Sequence, residues 1–257
     1  MHAYHPARPA GLPGLSGLSG SGATGYTNDR GASFNGTTQY LSATNVSIGV
    51  GAPASGTLAF WADLTDIDAL STQAMFVLDD TAVGRLTVRF DEATNNLDIA
   101  SGADANVVLN AAVDLATSGF HHIAVTSNGS RWLLYVDGTL RTLTVEAGSN
   151  AGIWLDDVNP NGAAELYIGA NQAAAQFFKG TLDEIGIWNS ELTAANITSL
   201  YNAGAGVIYG VARDIGTLLH YWGLSTNHGG ITAAQAGGVT LTNNNSAIDA
   251  VGVTTGP

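Results

Sequence analysis

The segment Phe177–Gly204, FFKGTLDEIGIWNSELTAANITSLYNAG, constrains the fold of this chain more than any other stretch. It reads as a glycine turn, one apolar strand, a capping turn and one short helix, set among short β-runs. Thr193 is placed to accept a hydrogen bond from the N–H of Asn196 or Ala195, as an N-cap does. Leu192 and Ile197 are spaced for a hydrophobic staple. Ile197, Leu200 and Tyr201 form the apolar stripe, and Gly204 supplies a left-handed residue to end the helix. A single helix over about 193–203 is expected.

The rest of the chain reads as strands separated by turn dipeptides. Asn35-Gly36 separates Ala32–Phe34 from Gln39–Leu41, and Asn-Gly favours a tight reversal. Thr57–Leu64 is apolar enough for a central strand, and Gln73–Leu78 follows. In Arg85–Phe90, Leu86, Val88 and Phe90 alternate with Arg85, Thr87 and Arg89, the period of a half-buried strand. Leu97–Ala100 and Asn106–Leu109 come next. His121–Ser127 and Arg131–Val136 flank Asn128-Gly129-Ser130 as a hairpin, and Asp137-Gly138 leads into Thr139–Val145. Leu166–Ile168 and Thr181–Trp188 complete the series. Short strands with almost no helical period predict an all-β, two-sheet antiparallel sandwich.

Composition narrows the function. A net charge of −13 with Lys179 as the one lysine argues against nucleic-acid or anionic-membrane partners, which need basic clusters. No apolar run is long enough for a membrane-spanning helix. With no cysteine, disulfides, thiolate metal sites and cysteine nucleophiles are excluded. The start, MHAYHPARPAGLPGLSGLSGSG, has no contiguous apolar core, so a standard secretory signal is not expected. Pro6, Pro9 and Pro13 precede a Gly/Ser-rich tract, so residues 1–30 read as an extended arm. Leu12, Leu15 and Leu18 recur every third residue and would anchor that arm in a neighbour's groove; the alternative is a mobile tail.

Five segments together resemble the laminin-G-like jelly roll of the concanavalin A-like lectin/glucanase superfamily: ASFNGTTQYLS (32–42), TLAFWADL (57–64), FHHIAVTSNGSRWLLYVDGT (120–139), ELYIGAN (165–171) and KGTLDEIGIWNSELTAANITSLYNAG (179–204). The resemblance covers roughly 30–204 and implies two curved antiparallel sheets, so the jelly roll is expected over 31–204. Phe120 stands where the family usually has tryptophan. HYWGLSTNHGGITAAQAGGVTLTNNN (220–245) resembles the segment that normally opens this domain, yet here it comes last. The C-terminal segment 205–257 is therefore expected to complete the same sandwich or a neighbouring one. Gln235 stands where the family pattern often has aspartate, which puts a polar role there in doubt.

The superfamily includes glucanases, whose carboxylates lie as a Glu-x-Asp-x-x-Glu-like series on one strand. No such series occurs. Asp183 and Glu184 are adjacent, so in a regular strand they point to opposite faces. Some relatives bind a structural calcium through such acids; the other reading is a hydrogen-bonded acid fixing the strand. His121 and His122 are likewise consecutive and read as framework. Trp61, Trp132 and Trp188 sit in apolar strands and are expected in the core. Trp154, with Asp156 and Asp157, is the candidate exposed aromatic for a sugar or an interface.

These readings point to a non-catalytic structural or adhesive protein on a virion surface or otherwise extracellular. Its partners would be copies of itself, other virion proteins or cell-surface glycans. A lectin-like carbohydrate-binding module is the alternative, and a glucanase the third.

Overall fold

A computed structural model of the chain describes residues 30–64, 72–91, 96–102, 104–110, 119–202, 209–225 and 229–251. The leucines of the expected arm, Leu12, Leu15 and Leu18, lie outside the described residues.

The strands are β1 (Arg30–Asn35), β2 (Tyr40–Ala43), β3 (Gly56–Asp63), β4 (Gln73–Asp80), β5 (Gly84–Asp91), β6 (Asn96–Ser101), β7 (Asn106–Asn110) and β8 (Phe120–Ser127). They continue as β9 (Trp132–Val136), β10 (Thr139–Arg141), β11 (Leu143–Ala147), β12 (Glu165–Ile168), β13 (Lys179–Trp188), β14 (Leu218–Trp222), β15 (Thr242–Asn244) and β16 (Ile248–Val251). Two antiparallel sheets result. The first runs β10-β9-β8-β3-β13-β1-β16, with β14 also on β13; the second runs β11-β7-β6-β5-β4-β12-β2-β15. This is the expected jelly-roll sandwich.

Alternation drives it. Leu58, Phe60 and Ala62 of β3 and Leu86, Val88 and Phe90 of β5 turn inward into one large apolar cluster between the sheets, the arrangement that buries one face of each sheet. Thr139–Val145, expected as one strand, is split between β10 in the first sheet and β11 in the second. The chain crosses at Thr142 from one sheet to the other.

The sequence reading of one helix is incomplete. Besides α2 (Ala194–Tyr201) there are α1 (Leu155–Val158) and α3 (Tyr209–Ile215). In α2 the Thr193 hydroxyl accepts from Asn196 N–H at 3.2 Å, and Leu192 and Ile197 are both buried, as capping and stapling require. The left-handed residue after the helix is Asn202, at φ 46°, and Gly204 lies outside the described residues. Helices α2 and α3 cover the outer face of the first sheet through a second apolar cluster that includes Ala59, Trp188, Ile197, Leu200, Ala212 and Tyr221.

The displaced C-terminal segment folds onto its own chain. β1 pairs with residues 179–182 of β13 and β14 with residues 185–188 of the same strand, so the two share one edge end to end. Strand β15 then pairs with β2 and β16 with β1. Trp222, Leu224 and Leu241 enter the interior cluster. Gln235 does have a polar role: its Oε1 accepts from Gly223 N–H at 2.7 Å and its Nε2 donates to Ala233 O at 3.0 Å.

Candidate functional site

Trp154, the sequence candidate for an exposed platform, is buried. Only 1% of it is accessible, and it caps the start of α1 with its own N–H donating to Asp157 Oδ2 at 2.9 Å. Trp154, Leu155 and Val158 join the interior cluster, so the Gly-Ile-Trp-Leu run plugs the end of the core. Asp156 is half-buried and Asp157 exposed; burial, then the neighbouring Asp157, raise the Asp156 carboxyl. The three residues cluster, but they offer no aromatic surface.

Asp183 and Glu184 depart from the alternation assumed for them. Register against β3 slips between Asp183↔Trp61 and Gly186↔Ala59, and Glu184 sits at φ 52°, so a β-bulge inserts one residue here. Asp183, opposite Trp61, shares the outer side with it, and Glu184 lines the space beneath α2 with Trp61 and His122. Asp183 Oδ1 accepts from Glu184 N–H at 2.9 Å, which fastens the bulge. Among the described residues no three His, Asp or Glu side chains gather closely enough to hold a metal ion. Asp183→Ala should lower the unfolding free energy by about 1–3 kcal/mol in urea titrations. Repeating them in millimolar calcium tests the metal expectation, whose signature is a rise in Tm that Asp183→Ala abolishes.

The consecutive histidines face opposite ways, as expected. His121 Nδ1 lies 2.8 Å from Asp137 Oδ2. His122 packs under α2, its ring 5.1 Å from Trp61 and 6.4 Å from Tyr201. Burial pushes the His122 imidazole down to about 4, opposed by Asp137.

The outer face of the second sheet is different in character from the helix-covered face. In register, Arg85 of β5 stands opposite Asp79 of β4, and Asp79 opposite Glu165 of β12. One step along, Thr87 faces Val77, Val77 faces Tyr167, and Tyr167 faces Ser42 of β2. The half-buried rings of Tyr40, Tyr167 and Phe177 gather at this level, with Tyr40 centred 6.2 Å from Tyr167 and 6.1 Å from Phe177. The Tyr167 hydroxyl donates to Glu165, and burial and this carboxylate raise its pKa.

Asp79 is 8% exposed. Burial raises its pKa against the lowering pull of Arg85, while Glu165 and Asp80 add to the rise. Farther along the face, Arg89 donates to Asp98 Oδ2 at 3.2 Å and Asp104 Oδ1 at 3.0 Å. Burial pushes the Asp98 carboxyl up to about 7 despite Arg89. The loop between β12 and β13 bends over this face, held by Ala74 N–H donating to Gln176 O at 2.9 Å. It is braced internally by Asn171 Oδ1, which accepts from the N–H groups of Ala173 and Ala175 at 3.0 Å.

Tyr40, Tyr167, Phe177 and Glu165 were not singled out from sequence. The alternation of Arg85, Thr87 and Arg89 marked their strand, but only the register of β4, β5 and β12 joins them to Tyr40 and Phe177. That register also places two carboxylates, Asp79 and Glu165, side by side across strands, where a search along single strands does not look.

Two sheets enclosing one apolar core, with one outer face under helices and the other carrying rings and carboxylates, define a lectin-type jelly roll. The chain belongs to the laminin-G-like family of the concanavalin A-like lectin/glucanases superfamily, whose family model matches residues 35–198. A search of curated proteins finds no match. Among solved structures, the chain is similar to a heptameric SAP-like pentraxin from Limulus polyphemus, at 13% identity and TM-score 0.54, covering 88% of this chain and 96% of that one. It is also similar to a putative carbohydrate-binding protein from Bacteroides ovatus, at 14% identity and TM-score 0.56, covering 87% of this chain and 60% of that one. At such identities the likeness is one of fold. Among the described residues no helix is long and apolar enough to cross a membrane.

Proposed function

We propose that this chain is a carbohydrate-binding module, and that its site is the outer face of the second sheet around Tyr40, Tyr167 and Phe177. The observation that carries the reading is the gathering of these half-buried rings within 6.2 Å steps beside the cross-strand acids Asp79 and Glu165. Aromatic faces stack on the apolar face of a sugar ring, and carboxylates accept from its hydroxyls. The family supports this reading, as does the fold shared with the Bacteroides ovatus protein.

Binding to an array of neutral and acidic glycans, followed by calorimetry, tests it. Tyr167→Ala should weaken the glycan that binds best by about 2 kcal/mol, roughly thirtyfold. Full affinity in Tyr167→Ala would place the site elsewhere. A second reading, glycoside hydrolysis, is favoured by the Asp79–Glu165 juxtaposition alone, since directly opposed residues bring two carboxyls close. Release of reducing ends in the same samples would mark that pair as catalytic; the binding role requires none.

The particle-surface role draws less support. Its arm residues lie outside the described residues, and of the two expectations for the C-terminal segment, the same sandwich or a neighbouring one, its strands follow the first and pair within their own chain. Oligomeric mass in solution addresses it directly.

A further inference from the structure

A cavity of about 400 Å³ lies between residues 43–47 on one side and residues 237–240 with Thr242 on the other. Thr242 ties it to the ring cluster. It stands opposite Ser42 in the ladder of β15 on β2, and Ser42 stands opposite Tyr167 of β12. Directly opposed residues share a face. Tyr167, Ser42 and Thr242 therefore form one row across the outer face of the second sheet. The first and last are two strand spacings apart, roughly 10 Å.

Both walls are pinned from behind. Asn159 is buried, and its Nδ2 donates to Val46 O at 2.8 Å and to Ile48 O at 2.6 Å. Its Oδ1 accepts from Ala164 N–H at 3.0 Å, so this side chain is spent on holding one wall. On the other wall the Trp222 indole donates to Val239 O at 2.7 Å, and Leu241 N–H donates to Thr232 O at 2.9 Å. Val46, Ile48 and Leu241 are buried, whereas Thr44, Asn45, Ser47, Thr240 and Thr242 are exposed. A fixed backbone thus presents four hydroxyls and one amide outward. None of these five side chains hydrogen-bonds to another described residue.

The chemistry of the walls selects the occupant. No ionisable side chain lines the cavity. A hard cation would lack carboxylates there and an anion would lack a basic partner. Hydroxyls and an amide both donate and accept, which matches the adjacent hydroxyls of a neutral sugar. A cavity of about 150 Å³ holds benzene, so this one has room for a sugar ring. Walls fixed before binding lower the ordering cost.

Building on the carbohydrate-binding reading, we propose that this cavity is a second subsite for a neutral sugar unit, with the C-terminal segment supplying one of its walls. The glycan then runs from Tyr167 across β2 to β15. The ring cluster stacks one unit, while Thr44, Asn45, Thr240 and Thr242 hydrogen-bond to another.

Calorimetry with gluco-, manno-, galacto- and xylo-oligosaccharides of one to six units tests this. Affinity should rise at least tenfold between one unit and three or four, then level off, as one or two added hydrogen bonds imply. Thr44→Val and Thr240→Val, which remove hydroxyls at nearly constant volume, should together shrink that ratio toward one. Thr240→Ser, which keeps the hydroxyl, should preserve it. Circular dichroism melts establish that the variants are folded.

A wild-type protein that binds single units as tightly as longer chains overturns the second subsite while leaving the ring site. So does an undiminished ratio in the folded double variant. If the gain with length appears only for sulfated or uronic-acid oligosaccharides, the cavity takes an anion and the proposal falls. Self-association abolished by the same double variant would mark the cavity as a protein contact and also overturn it. Failure of the wild type to bind any oligosaccharide removes the carbohydrate reading and this subsite with it.

Discussion

Replacing Trp154 with alanine should lower the unfolding free energy by about 3–5 kcal/mol, the range for deleting a buried indole. The ring closes one end of the core, and its indole nitrogen passes so near Gly56 that a Cβ there would lie 2.1 Å from it. On that side the backbone of β3 has no side chain to fill a vacancy, so collapse around the deletion would be limited. Urea titration followed by tryptophan fluorescence measures the loss. Glycan affinity should persist at temperatures where the variant remains folded, because Trp154 lies in the core between the sheets and not on the second sheet's outer face. A loss below about 1 kcal/mol would mean that the end of the core can repack without this ring.

Acid should destabilise the protein through His122, and the effect can be isolated. Its imidazole is held down at about 4 by burial beneath α2, against an ordinary value of about 6.5. Between those values the unfolded chain takes up a proton that the folded chain refuses, so stability falls as pH falls through this window. His220, stacked on Trp222 at 5.7 Å and also held down at about 4 by burial, acts in the same direction.

Asp98 acts oppositely. Its carboxyl, raised to about 7, binds a proton in the folded state while the unfolded chain still releases one, so its burial costs stability at neutral pH and less in acid. Comparing His122→Phe with the parent cancels both other groups, which the two proteins share. From pH 7 to 4.5 the variant should gain about 2–3 kcal/mol on the parent in urea midpoints. Parallel pH profiles would mean that His122 gains a proton without leaving its place under the helix.

The sequence carried the sandwich because its evidence was local. Alternation in Arg85–Phe90, the turn at Asn128-Gly129 and the Thr193 cap each involve neighbours in the chain, and each appears where expected. Failures came where long-range geometry decided. Trp154 read as exposed because it sits between Gly152 and two aspartates, yet that turn brings it back into the core. Asp183 and Glu184 read as opposed because a regular strand alternates, and one inserted residue at φ 52° breaks that rule. The site itself was the least legible part. Tyr40, Tyr167 and Phe177 come from separate strand and loop positions, and only pairing register makes them neighbours.

The pairing of β16 with β1 has a mechanical meaning. Arg30 and Val251 are directly opposed in that ladder, so polypeptide attached at either side departs from one corner. Tension between the two attachments would peel β16 from β1 one residue pair at a time and leave the rest of the sandwich unloaded. The outer face of the second sheet would stay undistorted while that corner was pulled.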